Sequence, residues 1–147
     1  MTGSEIEFVV VPVRGGEIQV AEGWVYAWID ADGRAVYVGA TGLDPRTRTW
    51  LHLHDPDPDV GRVRARFAAV AGASLDVLAM KLPDEVSRTD VRDALGARLG
   101  DQGLLADDAI TDHLQLVLDP SPEAVELADY FIARLGSYRK RNKATVL

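Results

Sequence analysis

The sequence predicts a small α+β domain in which a central, mostly antiparallel sheet is flanked by helices. Two runs rich in Val, Ile, Trp and Tyr, residues 24–29 and 34–38, are separated by turn-forming residues 30–33 and predict a hairpin. A third apolar run, residues 74–82, is bounded by glycine and proline and predicts another strand. Apolar residues at helical spacing complete the pattern in residues 60–70, 91–99 and 124–135.

The N-terminal segment, residues 1–22, predicts an extra strand or hairpin. Residues 5–13 begin with alternating polar and apolar residues and become continuously apolar, which is typical of a strand. The pair Gly15-Gly16 can form a turn, after which residues 17–20 can pair back. The segment therefore adds to the sheet architecture, although it carries no recognisable chemistry.

A helix is predicted directly after the hairpin. Asp44 can cap it, and Pro45 suits its first position because proline has no N–H to leave unpaired there. Arg48 and His52 are four residues apart, so both side chains lie on one face of this helix. A later helix is predicted after Ser87, which can act as its N-cap.

The C-terminal third predicts a loop, a strand and a helix. Residues 100–112 are mostly polar and predict a loop, and His113–Leu118 predicts a strand. The sequence Ser121-Pro122-Glu123 supplies a capping hydroxyl, a proline and an acid at the positive end of the helix dipole. We therefore expect a C-terminal strand and helix over residues 113–138 and a loose tail over 139–147.

Composition narrows the class of protein. A chain of 147 residues without cysteine indicates one domain with no disulfide and no thiolate metal site. No apolar stretch approaches the roughly 18 residues that a membrane span needs. The N-terminus also lacks the pattern of a secretory signal. We therefore expect a cytoplasmic protein with no membrane partner.

The charge is segregated along the chain. A net charge of −7 opposes a general nucleic-acid coat, because phosphate binding needs a basic surface. Five arginines nevertheless lie close together in sequence after the hairpin: Arg46, Arg48, Arg62, Arg64 and Arg66. Such a cluster can bind a polyanion despite the acidic total. The alternative is that these arginines lie on ordinary solvated helix faces.

Two aromatic strand segments and the helix after them carry the only pattern that suggests an activity. Trp24-Val25-Tyr26 and Tyr37-Val38-Gly39 are followed by Arg48 and His52. In this order and spacing, residues 23–99 resemble the core of the GIY-YIG nuclease family. The resemblance implies a metal-dependent endonuclease that hydrolyses phosphodiester bonds.

The resemblance also implies a role for each residue. Tyr26 and Tyr37 would handle the attacking water, Arg48 would bind the phosphate, and His52 would relay a proton. Nucleic acid would be the partner, DNA rather than RNA. Further contacts to it are expected from Thr41, Arg46, Arg62 and Arg66.

The metal ligand is where this chain departs from the family pattern. The family has a glutamate on the helix after the third strand, and the best register places Gly96 there. Glycine has no side-chain oxygen for Mg²⁺ or Mn²⁺, whereas Asp93, nearly one turn earlier, has one. The later asparagine of the family is also missing, since the only asparagine in the chain is Asn142.

Three functional hypotheses follow. The first is an active nuclease that uses Mg²⁺ or Mn²⁺ held by Asp93. The second is a catalytically degenerate module on the same scaffold that binds nucleic acid or a protein. The third is an unrelated α+β interaction domain, in which Tyr26, Tyr37 and Arg48 would point to different faces.

Overall fold

A computed structural model describes residues 13–15, 17–18, 23–67, 70, 72–115 and 119–145. Its strands are β1 (Val13–Arg14), β2 (Glu17–Ile18), β3 (Gly23–Ile29), β4 (Ala35–Thr41), β5 (Asp76–Leu82) and β6 (Leu105–Ile110). Its helices are α1 (Pro45–His54), α2 (Arg62–Arg66), α3 (Arg88–Asp101) and α4 (Pro122–Thr145).

The main sheet has four strands in the order β5-β3-β4-β6. Strand β3 pairs antiparallel with both β4 and β5, whereas β6 runs parallel to β4. The sheet is thus mostly antiparallel and flanked by helices, and the fold class predicted from the sequence is confirmed. Strand β6 corrects the sequence interpretation, because residues 105–110 fall inside the segment predicted as a polar loop.

The turn between β3 and β4 explains why this hairpin was predictable. The Asp30 carboxylate accepts hydrogen bonds from the backbone N–H groups of Asp32 and Arg34, both at 3.0 Å. Gly33 has a φ of +80°, which lies in the left-handed region that glycine enters most easily. The Asp30 carboxylate therefore pairs backbone N–H groups that have no partner from the strand ladder within the turn.

The sheet buries both faces, and the two faces carry different residues. Alternate side chains of β3 point in opposite directions. Val25, Ala27 and Ile29 pack with α3 and α4 in the main apolar core. Tyr26 and Trp28 point the other way and pack with Val63 and Phe67, next to α2. The aromatic residues of the hairpin thus lie on the face covered by α1 and α2.

Helix α1 begins as the sequence predicts. The Asp44 side chain accepts from the N–H of Arg46 at 2.9 Å, and Pro45 is the first residue of the helix. Arg48 and His52 are four positions apart, so they lie on one face of α1, and His52 is fully buried against the aromatic rings of the hairpin. Local capping chemistry therefore fixes where α1 starts and, with it, which residues reach the hairpin.

At both ends of the described chain, the helix and strand boundaries differ from those predicted from the sequence. Strands β1 and β2 form the predicted N-terminal hairpin, while the rest of the predicted strand at residues 5–13 lies outside the described residues. The C-terminal helix is present but longer than predicted, since it continues to Thr145 where a loose tail was expected from residue 139. His113–Gln115 lies in a turn and loop instead of the predicted strand, and residues 116–118 are outside the description.

Helix length and hydropathy bear on the membrane question. Among the described helices, none combines the length and the apolar character required to cross a lipid bilayer.

Candidate functional site

A cleft of about 560 Å³ opens at one end of the β3–β4 hairpin. It is lined mainly by polar and charged side chains from five parts of the fold: Tyr26, Tyr37, Gly39, Ala40, Arg48, Asp59, Arg62, Arg66, Arg92, Asp112, His113 and Gln115. The cleft therefore joins the hairpin, α1, α2 and α3 with a segment that follows β6.

Strand register brings the two tyrosines together. Tyr26 pairs with Gly39 and Trp28 pairs with Tyr37, so the tyrosines are diagonal neighbours on one face of the sheet. Their ring centroids are 6.1 Å apart. Gly39 makes this arrangement possible, because a Cβ there would overlap the phenol end of Tyr26 and lie 2.8 Å from Cε2 of Tyr37.

Replacing Gly39 by alanine tests this packing. We expect the extra methyl group to displace both rings and to lower the free energy of unfolding by about 1–3 kcal/mol, because both tyrosines are buried. Urea unfolding measures the change. Gly136→Ala is the matched control: no atom among the described residues lies within 4 Å of its added Cβ, and it should stabilise helix α4 by about 0.5–1 kcal/mol. Equal effects of the two substitutions would contradict the packing argument.

His52 lies directly behind Tyr26. The Tyr26 hydroxyl is 2.6 Å from Nε2 of His52, and the imidazole is completely buried. Burial, reinforced by the positive charges of Arg48 and Arg62, lowers the pKa of His52 to about 3. The ring is therefore neutral at pH 7, and its tautomer decides whether the Tyr26 hydroxyl or Nε2 of His52 is the donor of this bond.

The pKa of Tyr26 is raised, so the phenol stays protonated and the pair of Tyr26 and His52 stays neutral. Burial raises this pKa first, and the neighbouring Tyr37 raises it further, while Arg48 opposes both with a smaller lowering effect. Transfer of the proton from Tyr26 to His52 is thus unfavourable in the free protein. The remaining ring nitrogen of His52, Nδ1, is buried and has no hydrogen-bond partner within the described part of the chain.

Acid should destabilise the protein through His52. The folded-state pKa of about 3 lies below the ordinary 6.5, so between these values the unfolded chain binds the proton and the folded chain does not. Stability therefore rises with pH across this window and levels off above about 6.5. We expect a loss of about 2–3 kcal/mol between pH 7 and about pH 4.5 from this group.

Urea unfolding at both pH values checks the expectation. His52→Gln should remove this part of the pH dependence, since glutamine does not titrate. His54→Gln, on the exposed side of the same helix, is the control and should leave the dependence intact. Indistinguishable pH profiles of the two variants would contradict the assignment.

Three arginines line the cleft from α1 and α2, and hydrogen bonds to the backbone hold two of them. Arg48 donates from Nη1 to the Val60 carbonyl at 2.8 Å, and Arg62 donates from Nε to the Asp59 carbonyl at 3.0 Å. Each guanidinium has five N–H donors, so most of them stay available for a ligand. The backbone contacts therefore fix the position of the charges without using up their binding capacity.

The last side of the cleft is formed by Asp112–Gln115, hereafter the wall segment. Asp112 forms an ion pair with Arg66 on α2. The His113 ring stacks on Tyr37 with centroids 4.6 Å apart and donates from Nε2 to the Val38 carbonyl at 2.5 Å. The backbone N–H of Gln115 donates to Asp93 at 3.3 Å. The wall segment thus connects α2, β4 and α3 around the cleft.

The charge balance of the lining is positive in an otherwise acidic protein. Four arginines face two aspartates, which gives a net charge of +2 when His113 is neutral. The pKa of His113 is lowered chiefly by burial and further by Arg92 and Arg62, against the opposing hydrogen bond to Val38, so the neutral form prevails. The cleft therefore favours an anion, although the whole chain carries −7.

The residues around Asp93 do not fit a divalent cation. Asp93 is buried, and its Oδ1 accepts both from Nε of Arg92 at 2.9 Å and from the N–H of Gln115. The Arg92 guanidinium that Oδ1 of Asp93 binds would repel Mg²⁺ or Mn²⁺. Gly96 offers no substitute, because a Cβ there would lie 2.6 Å from Cδ1 of Leu114. Within the described residues, no group of three or more His, Asp or Glu side chains converges to hold a metal.

The cleft collects most of the predicted site residues but not all of them. Tyr26, Tyr37, Arg48, Arg62 and Arg66 line it, and His52 lies one layer deeper. Thr41 is buried and its hydroxyl accepts from the N–H of Leu43 at 3.0 Å, so it stabilises the loop before α1. Arg46 is exposed, and neither it nor Asp93 is part of the lining.

Arg92 and His113 are among the cleft residues that the sequence analysis did not assign to the site. A signal for Arg92 was present, because it lies four residues before Gly96 and therefore on the same helix face. His113 had no comparable signal, since only the path of the wall segment brings it to Tyr37.

Fold and cleft together define a class of protein: an α+β domain with a cationic, tyrosine-lined site. Comparison with protein-family models, with curated proteins and with solved structures finds no match to this chain.

Proposed function

We propose that the cleft binds a phosphodiester of nucleic acid, DNA rather than RNA, and hydrolyses it. The observation that carries the proposal is that Tyr26, Tyr37 and Arg48 line one cleft with three further arginines, while His52 hydrogen-bonds to Tyr26 from behind. The resemblance of residues 23–99 to GIY-YIG nucleases supports the same reading of these side chains.

Phosphate recognition is the better supported half of the proposal. Guanidinium groups match phosphate oxygens in geometry and charge and can donate two parallel hydrogen bonds to them. Arg48 and Arg62 are held by backbone carbonyls, and Arg66 is held by Asp112, so their charges are positioned before a ligand arrives. Such fixed charges also stabilise the additional negative charge that develops when water attacks phosphorus.

Proton handling is assigned to Tyr26 and His52. In the tautomer of His52 with hydrogen on Nδ1, the phenol donates to Nε2 and keeps oxygen lone pairs with which it can accept from a water in the cleft. As the water attacks, its proton can pass to the Tyr26 oxygen while the phenol proton passes to His52. A bound phosphate favours this transfer, because its negative charge offsets the arginine charges that lower the pKa of His52.

A second candidate is a catalytically degenerate module that binds nucleic acid or a protein through the same cleft. The specific observation in its favour is that Leu114 covers Gly96 and that Arg92 and Gln115 occupy Asp93. The low pKa of His52 also makes it a weak base. Phosphate recognition is common to both candidates when the ligand is a nucleic acid, and hydrolysis distinguishes them.

The test is a paired measurement of binding and cleavage. Fluorescein-labelled single-stranded and duplex DNA, and the same sequences in RNA, are titrated with the protein and followed by fluorescence anisotropy. The mixtures are then resolved on denaturing gels, alongside a mock preparation from cells without the gene. Binding with cleavage above the mock preparation supports the nuclease, binding without cleavage supports the degenerate module, and absence of both would overturn the proposal.

A further inference from the structure

We propose that the cleft takes its phosphate without a divalent metal ion, because the guanidinium of Arg92 supplies the positive charge that the metal would contribute. The inference rests on the proposed function for the identity of the ligand as a nucleic-acid phosphate. It concerns a residue that the resemblance does not assign and a departure from the metal dependence that the resemblance implies.

Helix geometry places Arg92 where it can take over this role. Arg92 and Gly96 are four residues apart on α3, so they share one helix face. At Gly96, where the resemblance would place a metal-binding carboxylate, the side-chain space is taken by Leu114 of the wall segment. One turn earlier the face carries Arg92, whose side chain lines the cleft with Arg48, Arg62 and Arg66.

Asp93 holds Arg92 in position. Its carboxylate is 5% exposed and accepts from Nε of Arg92 at 2.9 Å. The backbone N–H of Gln115 donates to the same oxygen, so the carboxylate is tied to the wall segment as well. With Nε engaged, the guanidinium plane is restrained and its two Nη groups remain as donors for the cleft. The one buried carboxylate of α3 thus orients a cation instead of binding a metal.

The surrounding charges disfavour a divalent metal ion in the cleft. The positive charge of Arg92 and of the other three lining arginines repels a dication. Phosphate meets the opposite field, since the four arginines exceed the two aspartates of the lining. The cleft therefore selects an anion directly.

The experiment compares oligonucleotide binding with and without metal. Wild-type protein is titrated into a fluorescein-labelled single-stranded DNA of about 20 nucleotides, once in EDTA and once in Mg²⁺, and followed by anisotropy. We expect equal or weaker affinity in Mg²⁺, since the free cation screens phosphate. Arg92→Gln should weaken binding in EDTA about tenfold and reduce the salt slope by about one.

Two further variants separate charge from structure. Arg92→Lys keeps the charge and should retain most of the affinity, which a purely structural role of the Arg92–Asp93 pair would not allow. Arg88→Gln removes a charge from an exposed position on the same helix, outside the cleft lining, and should change affinity less than twofold. Equal urea midpoints for all variants establish that each is folded.

The outcomes are distinct for the inference and for the proposed function. DNA binding that requires Mg²⁺, or Arg92→Gln with wild-type affinity, would overturn the inference and leave the proposed function standing. Absence of DNA binding in both buffers would remove the proposed function. Inorganic pyrophosphate is then titrated in EDTA and followed by NMR. A shift of the Arg92 Nε–H signal, or weaker pyrophosphate binding by Arg92→Gln, would support the inference. Absence of both effects would refute it.

Discussion

Arg48→Ala is expected to lower phosphodiester cleavage by about 10²–10³-fold, the effect typical of losing one fixed group that stabilises transition-state charge. Arg48 lines the cleft and lies close enough to Tyr26 to lower the pKa of its phenol, so it contacts both halves of the site. Initial rates on labelled DNA measure the loss. Arg46→Ala, two residues earlier on α1 but exposed and outside the cleft, is the control and should retain nearly full activity.

A second variant is needed because Arg48→Ala also removes the hydrogen bond from Arg48 to the Val60 carbonyl, in the loop before α2. Arg48→Lys keeps a positive charge but loses the planar fork that binds phosphate through two bonds. We expect Arg48→Lys to have near-normal stability and strongly reduced cleavage. Undiminished cleavage by Arg48→Ala would refute the assigned role.

Tyr26→Phe is expected to reduce both cleavage and stability. Without the hydroxyl, water loses its acceptor and the proton route to His52 is interrupted, which should lower the rate by about 10²-fold or more. The buried Nε2 of His52 also loses its hydrogen-bond partner, at a cost of about 1–3 kcal/mol in the free energy of unfolding. Cleavage rates and urea unfolding measure the two effects separately.

Tyr130→Phe is the matched control for this change, because Tyr130 is 56% exposed on α4 and a hydroxyl removed there stays in contact with water. It should alter neither quantity. If Tyr26→Phe lowered stability and left cleavage unchanged, the hydroxyl would be structural and the proton relay would be wrong.

The parts of the fold that local chemistry determines were predictable from the sequence. The β3–β4 hairpin follows from turn residues Asp30 and Gly33, and α1 follows from the cap at Asp44 and the proline after it. The approach of the two tyrosines did not follow from the sequence, because it depends on the register between β3 and β4. Because Tyr26 pairs with Gly39, the strand register then brings both tyrosines to one cleft with Arg48.

The parts that long-range pairing determines were missed. Strand β6 contains Asp107 and Asp108, which are exposed and disfavour a strand by intrinsic propensity. It forms because the neighbouring edge of β4 supplies backbone partners, including the Ala35 N–H that donates to Leu104. Likewise, the last turns of α4 lack an apolar stripe, so pattern alone indicated a tail where the helix continues to Thr145.

The predicted metal ligand on α3 stays a prediction, and the hydrogen bonds around it were not predictable from the sequence. Asp93 attracted a metal assignment because it is the carboxylate nearest to Gly96 in sequence, but its neighbours Arg92 and Gln115 engage it in hydrogen bonds. The positions of these residues on α3 were predictable from the sequence. The contact between Asp93 and Gln115 was not, because it depends on the path of the chain after β6.

The wall segment sets a lower limit on the fragment that can carry the site. A truncated domain that ends at residue 99 would keep Tyr26, Tyr37 and Arg48 yet lose Asp112, His113 and Gln115, together with the Leu114 side chain that covers Gly96. It would also lose β6 and so present the bare hydrogen-bonding edge of β4, a buried apolar strand, to neighbouring molecules. A fragment that carries the complete cleft therefore has to extend past Gln115 and include α4, whose Ala124, Ala128, Phe131 and Leu135 are buried in the main core.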